Sequence, residues 1–181
     1  MVLDPICVDE ELFKPDGSKL TDRFLFIGKL HPTKNPLGAI QIAKKLNVPL
    51  DLIADFTPGD DINYANSVYK ECDGDKITLY QNLTDEAKIM LMSRTRALIY
   101  PVNYPPGQGE AYTHKGMEGY SCGLPMIAYD QGGLSEAIQP GLTGYLAKTE
   151  DEFCQFMLES HKLNRKKIRE KFLASWSQFA T

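Results

Sequence analysis

The sequence has no apolar run approaching the roughly 18 residues of a membrane-spanning helix, so it offers no transmembrane segment. It also has no excess of positive charge. With 20 Lys and Arg against 24 Asp and Glu, the formal net charge is −4. That balance argues against a general nucleic-acid binder, which carries a basic face. Cysteine is scarce and scattered. Cys7, Cys72, Cys122 and Cys154 never form a Cys-x-x-Cys pair, so neither zinc nor a disulfide framework is implied, and they read as thiols in a reducing cytoplasm. The first residues, Met1-Val-Leu-Asp-Pro5, lack both a basic region and an apolar core and are not expected to act as a secretory signal. There is no internal repeat, low-complexity segment, Walker A sequence or nucleophile elbow.

What is present is a chain of 181 residues, 43% hydrophobic, which suits one domain with a real core. Residues 1–21 are irregular, broken by Pro5, Pro15 and Gly17. From Arg23 onward, short apolar runs at 24–28, 49–54, 77–80, 97–100, 125–129 and 144–147 alternate with amphipathic stretches at 37–46, 62–71, 85–93 and 115–121. Strand-helix alternation with nearly continuous apolar strands predicts an α/β fold, a parallel sheet with helices on both faces. The expected organisation is a lead-in segment (1–21), a main domain (22–148) and two C-terminal helices (149–181). Thr149 and Glu152 have the spacing of a capping box. The last helix carries Ile168, Phe172, Trp176 and Phe179 at helical spacing, with Arg165, Lys166, Arg169 and Lys171 elsewhere on its surface. That basic cluster fits a solvated face beside a docking stripe better than it fits peripheral contact with an anionic membrane.

The chemistry concentrates in two segments. The first strand ends in Gly28-Lys29-Leu30-His31-Pro32-Thr33-Lys34, and ligands of parallel α/β sheets sit beyond the carboxyl ends of strands. Glycine there lets the backbone turn close to a ligand. Lys29 and Lys34 can stabilise a departing diphosphate, although both also fit solvated loop charges. In the second segment, Glu110 follows a Pro/Gly-rich loop and Glu118 lies inside a helix. On a continuous helix their directions differ by roughly 80°. Backbone N–H groups near Tyr112–His114 would lie at the helix N-terminus and suit phosphate oxygens. Glu118 can accept from two vicinal hydroxyls, as a ribose presents them, or be a surface helix residue. Gly116 and Gly119 would allow close packing. A small-residue turn (Ser121-Cys122-Gly123), the 125–129 strand and a Gly132-Gly133 loop complete a phosphate-binding corner beside carboxylates. That is the chemistry of a sugar-nucleotide site.

The ordered set Phe26-Ile-Gly-Lys-Leu30 with Lys34, Glu110-(x7)-Glu118, Cys122-Gly-Leu-Pro-Met-Ile-Ala128, Gly132-Gly-Leu-Ser-Glu136 and Gly141-Leu-Thr-Gly-Tyr-Leu146 resembles the nucleotide-binding half of retaining GT-B glycosyltransferases. It is most similar to the group 1 family, also called family 4, over roughly residues 9–181. The resemblance implies a Rossmann-like fold, the C-terminal half of the GT-B architecture. It implies that Lys29 and Lys34 contact the donor diphosphate, that Glu110 acts catalytically near the donor sugar, that Glu118 binds the ribose, and that Tyr112, Thr113 and His114 meet the phosphates through backbone N–H groups. It further implies a UDP- or GDP-linked sugar as donor, no cofactor and no metal, and a saccharide, lipid or other acceptor placed by a missing N-terminal domain. A cytoplasmic hexosyltransferase follows, with this chain inactive alone and prone to self-associate through an orphaned Ile168–Trp176–Phe179 stripe.

Three departures stand out. Lys29 replaces the family's usual arginine, so bidentate contact becomes a point charge. Tyr112-Thr113-His114 replaces Phe-Gly-Leu, which puts a Cβ at Thr113 where the backbone would want glycine. One domain is present where the family has two, and Pro5 to Pro15 resembles the segment entering the second. The rival readings are a non-catalytic nucleotide-sugar-binding module or subunit, and a GT-B-like sugar-nucleotide epimerase. Asp73-Gly74-Asp75 matches the Asp-x-Asp metal motif of GT-A enzymes, but it precedes a strand and reads as a turn. Gly107-Gln-Gly109 lacks the third glycine of a dinucleotide fingerprint.

Overall fold

The computed structural model describes residues 8–105, 108–109 and 113–176. Its elements run β1 (Phe24–Lys29), α1 (Pro36–Leu46), β2 (Leu50–Asp55), α2 (Ile62–Glu71), β3 (Ile77–Tyr80), α3 (Asp85–Arg94), β4 (Leu98–Tyr100), α4 (His114–Ser121), β5 (Met126–Tyr129), α5 (Leu134–Ala137), β6 (Gly144–Ala147), α6 (Glu150–Glu159), a 3₁₀ turn at Ser160–Lys162, and α7 (Arg165–Ser175). Every expected strand and helix is present, with ends shifted by a residue or so; β2, for example, starts at Leu50. The one-turn helix α5 was not expected, because four residues are too few to show a period.

All six strands are parallel, in the order β3-β2-β1-β4-β5-β6. Strand alternation divides the core. Leu25, Ile27, Leu98, Tyr100, Met126 and Ala128 face one side, where α3, α4 and α7 cover them. Phe24, Phe26, Leu50, Leu52, Ile99 and Ile127 face the other, under α1, α2 and α6. The Rossmann-like sheet expected of a C-terminal GT-B half is therefore the one found. Side-chain caps start every described α-helix but α5: Asn35, Asp61, Thr84, Thr113, Thr149 and Asn164 each accept from a first-turn N–H. Thr149 caps Glu152 N–H at 3.2 Å, while the Glu152 carboxylate accepts from Lys148 N–H, one residue before the cap of the expected box. No described helix is long and apolar enough to cross a membrane.

The tail corrects two expectations. Ile168 and Phe172 are fully buried, and Trp176 stacks on Tyr120 at 5.7 Å between ring centroids. The stripe is covered by α4, so the orphaned patch is absent over these residues; Phe179 lies outside the described residues. The basic cluster is not one outward face. Arg165 donates to the carbonyls of Met92, Thr95 and Cys122. Arg169 donates to those of Glu10, Phe13 and Ser121. Together they fasten α7 to the ends of α3 and α4 and to the lead-in segment, whose Val8 and Phe13 are buried in the core. Lys166 stays outward, at 86% side-chain exposure.

The Asp73 carboxylate accepts from Ile77 and Asp75 N–H at 2.9 and 2.8 Å, which holds it below the usual carboxylate range. Gly74 sits at φ +77°. Residues 73–75 are a turn, at the end of the sheet away from the strand C-termini. Of the cysteines, Cys122 and Cys154 are buried and Cys72 half-buried, all as free thiols. Burial pushes Cys122 up to about 12, so it is a neutral packing residue. Cys7 lies outside the described residues.

Candidate functional site

The sheet order reverses between β1 and β4. β1 pairs with β2 over six positions but with β4 in register only at Leu25 and Leu98. Such switch points form the ligand crevice of open parallel sheets. A cleft of about 360 Å³ lies there. β1 contributes Ile27, Gly28 and Lys29; β2 and its loop contribute Ile53, Asp55 and Thr57. Tyr100 ends β4, α3 presents Lys88, and the start of α4 contributes Thr113, His114 and Lys115; Lys34 closes the rim. A larger hollow of about 500 Å³ lies between residues 15–20 and α7. It is the less suited to charged chemistry, because the two guanidiniums lining it already serve backbone carbonyls.

Helix α4 starts at the cleft. Thr113 is its N-cap at φ −113°, ψ 109°, ordinary extended backbone that carries no strain. The expectation that this position wants glycine is therefore corrected. Threonine contributes a cap instead, its Oγ1 accepting from Gly116 N–H at 3.2 Å. Gly116 packs tightly, since a Cβ there would lie 2.6 Å from the Thr113 methyl and 3.1 Å from Met126 and would force one of them to shift; Gly119 has only ordinary contacts. With Gly116 N–H capped, the first-turn N–H groups left for an anion are those of His114 and Lys115. Of the expected Tyr112–His114 donors, His114 stands at this helix start. Glu110 and Tyr112 lie outside the described residues.

Lys29 ends β1, exposed at the cleft mouth. Lys34 is held more closely: its ammonium donates to Tyr104 Oη at 2.8 Å and Tyr100 Oη at 3.3 Å. Its loop is tied across the crevice, Asn35 Nδ2 donating to Pro101 O and Asn103 N to Thr33 O, both at 2.9 Å. Glu118 lies one turn below the mouth at 13% exposure, its two oxygens accepting from Lys115 Nζ at 3.1 and 3.2 Å. A carboxylate offers about four lone-pair sites, so two remain for hydroxyls. The structure thus gathers Lys29, Lys34, Thr113 and His114 around one cleft and sets Glu118 behind Lys115.

Two cleft cations escaped the sequence reading. Lys115 stood in plain view beside His114 but has no motif of its own. Lys88, paired with Asp85 at 2.9 Å, belongs to an amphipathic helix that carries no local signal for a site. Lys29, Lys34, Lys88 and Lys115 line the cleft beside a helix N-terminus, two of them paired with Asp85 and Glu118, and these donors suit it to an anion.

Comparison with known proteins agrees with this fold. The family model for glycosyl transferases group 1 matches residues 8–154. Among solved structures the chain is similar to AviGT4, a glycosyltransferase involved in avilamycin A biosynthesis, at 20% identity and TM-score 0.76, over 96% of this chain and 52% of that one. It is similar to Alr3699/HepE from Anabaena, solved in complex with UDP and glucose, at 16% identity and TM-score 0.76, over 94% and 52%. It is also similar to a sucrose-phosphate synthase from Thermosynechococcus elongatus at 19% identity and TM-score 0.74, over 94% and 47%. At these identities the likeness is one of fold. The chain spans about half the length of these structures. No curated protein matches it.

Proposed function

The chain belongs to the glycosyl transferases group 1 family, and on that premise we propose that it is the donor-binding C-terminal half of a retaining, family 4 GT-B hexosyltransferase of the cytoplasm. The observation that carries this reading is the lysine-rich cleft at the β1–β4 switch point, capped by the α4 N-terminus. The donor is a nucleoside diphosphate sugar, UDP- or GDP-linked; UDP is the nucleotide bound in the Anabaena neighbour. Lys29, Lys34 and the backbone N–H groups of Tyr112, Thr113 and His114, extended by that of Lys115, bind the diphosphate and stabilise the charge that develops as it leaves, so no metal ion is required. Glu118 takes the ribose hydroxyls and Glu110 acts beside the donor sugar. The acceptor, a saccharide, lipid or other molecule, is placed by an N-terminal domain.

The test separates a diphosphate grip from generic surface charge. Replacing Lys29 or Lys34 by Met is expected to weaken UDP or GDP more than the free nucleoside, measured by calorimetry. Equal loss for both ligands, or no loss, would return the lysines to solvated loop charges. Glu118→Ala is expected to weaken nucleotide binding by about 1.5–3 kcal/mol, the loss of hydrogen bonds to a charged group. Glu118→Gln, which keeps the acceptor oxygen, should lose less. Unchanged affinity in Glu118→Ala by ligand-observed NMR would remove it from the ribose role.

A further inference from the structure

The phenol of Tyr104 holds the Lys34 ammonium at 2.8 Å and its ring lies 5.5 Å from the charge. We infer that Tyr104 is a positioning residue that pre-organises Lys34 for the diphosphate, and that Gln131 fixes Tyr104 in turn. The inference rests on the donor-binding reading above. Lysine is among the side chains that lose most rotamer freedom when immobilised. A lysine already oriented binds an anion with less of that cost.

Tyr104 lies in the loop after β4, packed against the core, and a loop residue needs support to orient anything. Two contacts supply it. The Gln131 side-chain oxygen accepts from Tyr104 N–H at 3.1 Å. Farther along the same loop, Gly109 sits so close to the next residue, Gly132, that a Cβ on Gly109 would fall 2.6 Å from the Gly132 Cα. The Gln131–Gly132 turn after β5 therefore supports the Tyr104 loop at two points. Tyr100 also accepts from Lys34, but at 3.3 Å and from a buried strand position, where it serves the core as well. Tyr104 is the partner that can be changed without opening the sheet.

The test measures UDP, GDP, uridine and guanosine binding by calorimetry to the unaltered chain, Tyr104→Phe, Lys34→Met and the double variant. Tyr104→Phe keeps the ring and its packing and removes only the phenol oxygen. It is expected to weaken the bound diphosphate roughly fivefold, the scale of one hydrogen bond, and to leave the nucleoside unchanged. In the Lys34→Met background the same change is expected to do nothing further. Gln131→Ala should reproduce the diphosphate-selective loss from a distance. If Lys34→Met weakens the diphosphate while Tyr104→Phe does not, or if the two losses add, the positioning role is overturned and the donor-binding reading stands. Tighter diphosphate binding by Tyr104→Phe would mean that the phenol competes with phosphate, which also overturns it. If Lys34→Met changes nothing, or neither diphosphate binds the unaltered chain, both readings fall together.

Discussion

Assayed alone, residues 1–181 are expected to bind a nucleoside diphosphate sugar and to transfer none of it. Transfer requires an acceptor hydroxyl held against the donor's anomeric carbon, and such positioning contributes about 7–11 kcal/mol to barrier reduction. The cleft at the β1–β4 switch point is lined by Lys29, Lys34 and the start of α4, the groups proposed for the donor. The solved structures that match the chain are about twice its length, and on the proposed reading the further half places the acceptor. The measurement is donor turnover by the chain alone and by the chain joined to an N-terminal GT-B domain. Turnover only in the joined form supports the half-enzyme reading. Robust transfer by residues 1–181 would overturn it and demand an acceptor site within them. Donor binding without turnover in either form would favour a non-catalytic binding module.

Arg165→Met is expected to destabilise the fold by roughly 3 kcal/mol, since carbonyls left without a donor in a part-buried site each cost about 1–3 kcal/mol and some here are recovered by water. The guanidinium bridges Met92 and Thr95 at the end of α3 and Cys122 at the end of α4, at 2.7, 2.7 and 3.3 Å. A cation at two helix C-termini also complements their dipoles. Burial pushes the group down to about 10, so it remains charged at neutral pH. Methionine restores much of the side-chain stem but no donor. Lys166→Met, one residue on, is expected to change stability by less than about 0.5 kcal/mol, because Lys166 is exposed. Urea unfolding of both variants checks the pair. Equal, small effects would restore a single outward basic face on α7.

The neighbours Arg165 and Lys166 mark where reading by sequence stops. Both follow the same local pattern, and the difference between them is set by carbonyls of residues 92, 95 and 122, remote in the chain. The same holds for Lys34, whose phenol partners lie 66 and 70 residues away, and for Lys88, which reaches the cleft only because α3 shares a core face with β1, β4 and α4. Thr113 failed in the opposite direction. Its expected strain was carried over from the glycine common at this place in the family, whereas the local backbone is extended and the hydroxyl caps the helix.

By itself the sequence determined the alternation of strands and helices, and hence a parallel sheet covered on both faces. It also singled out one loop and one helix start that the fold brings to the same cleft. Those features depend on apolar period, helix caps and turn residues, which act between neighbours along the chain. Only the tertiary structure decided which lysines converge, which arginines turn inward, that the tail stripe is covered over its described residues, and where the α4 donors point. Each of these depends on the β3-β2-β1-β4-β5-β6 order. That order brings β1 and β4 side by side across about 70 residues of intervening chain, a separation at which no local pattern records the contact.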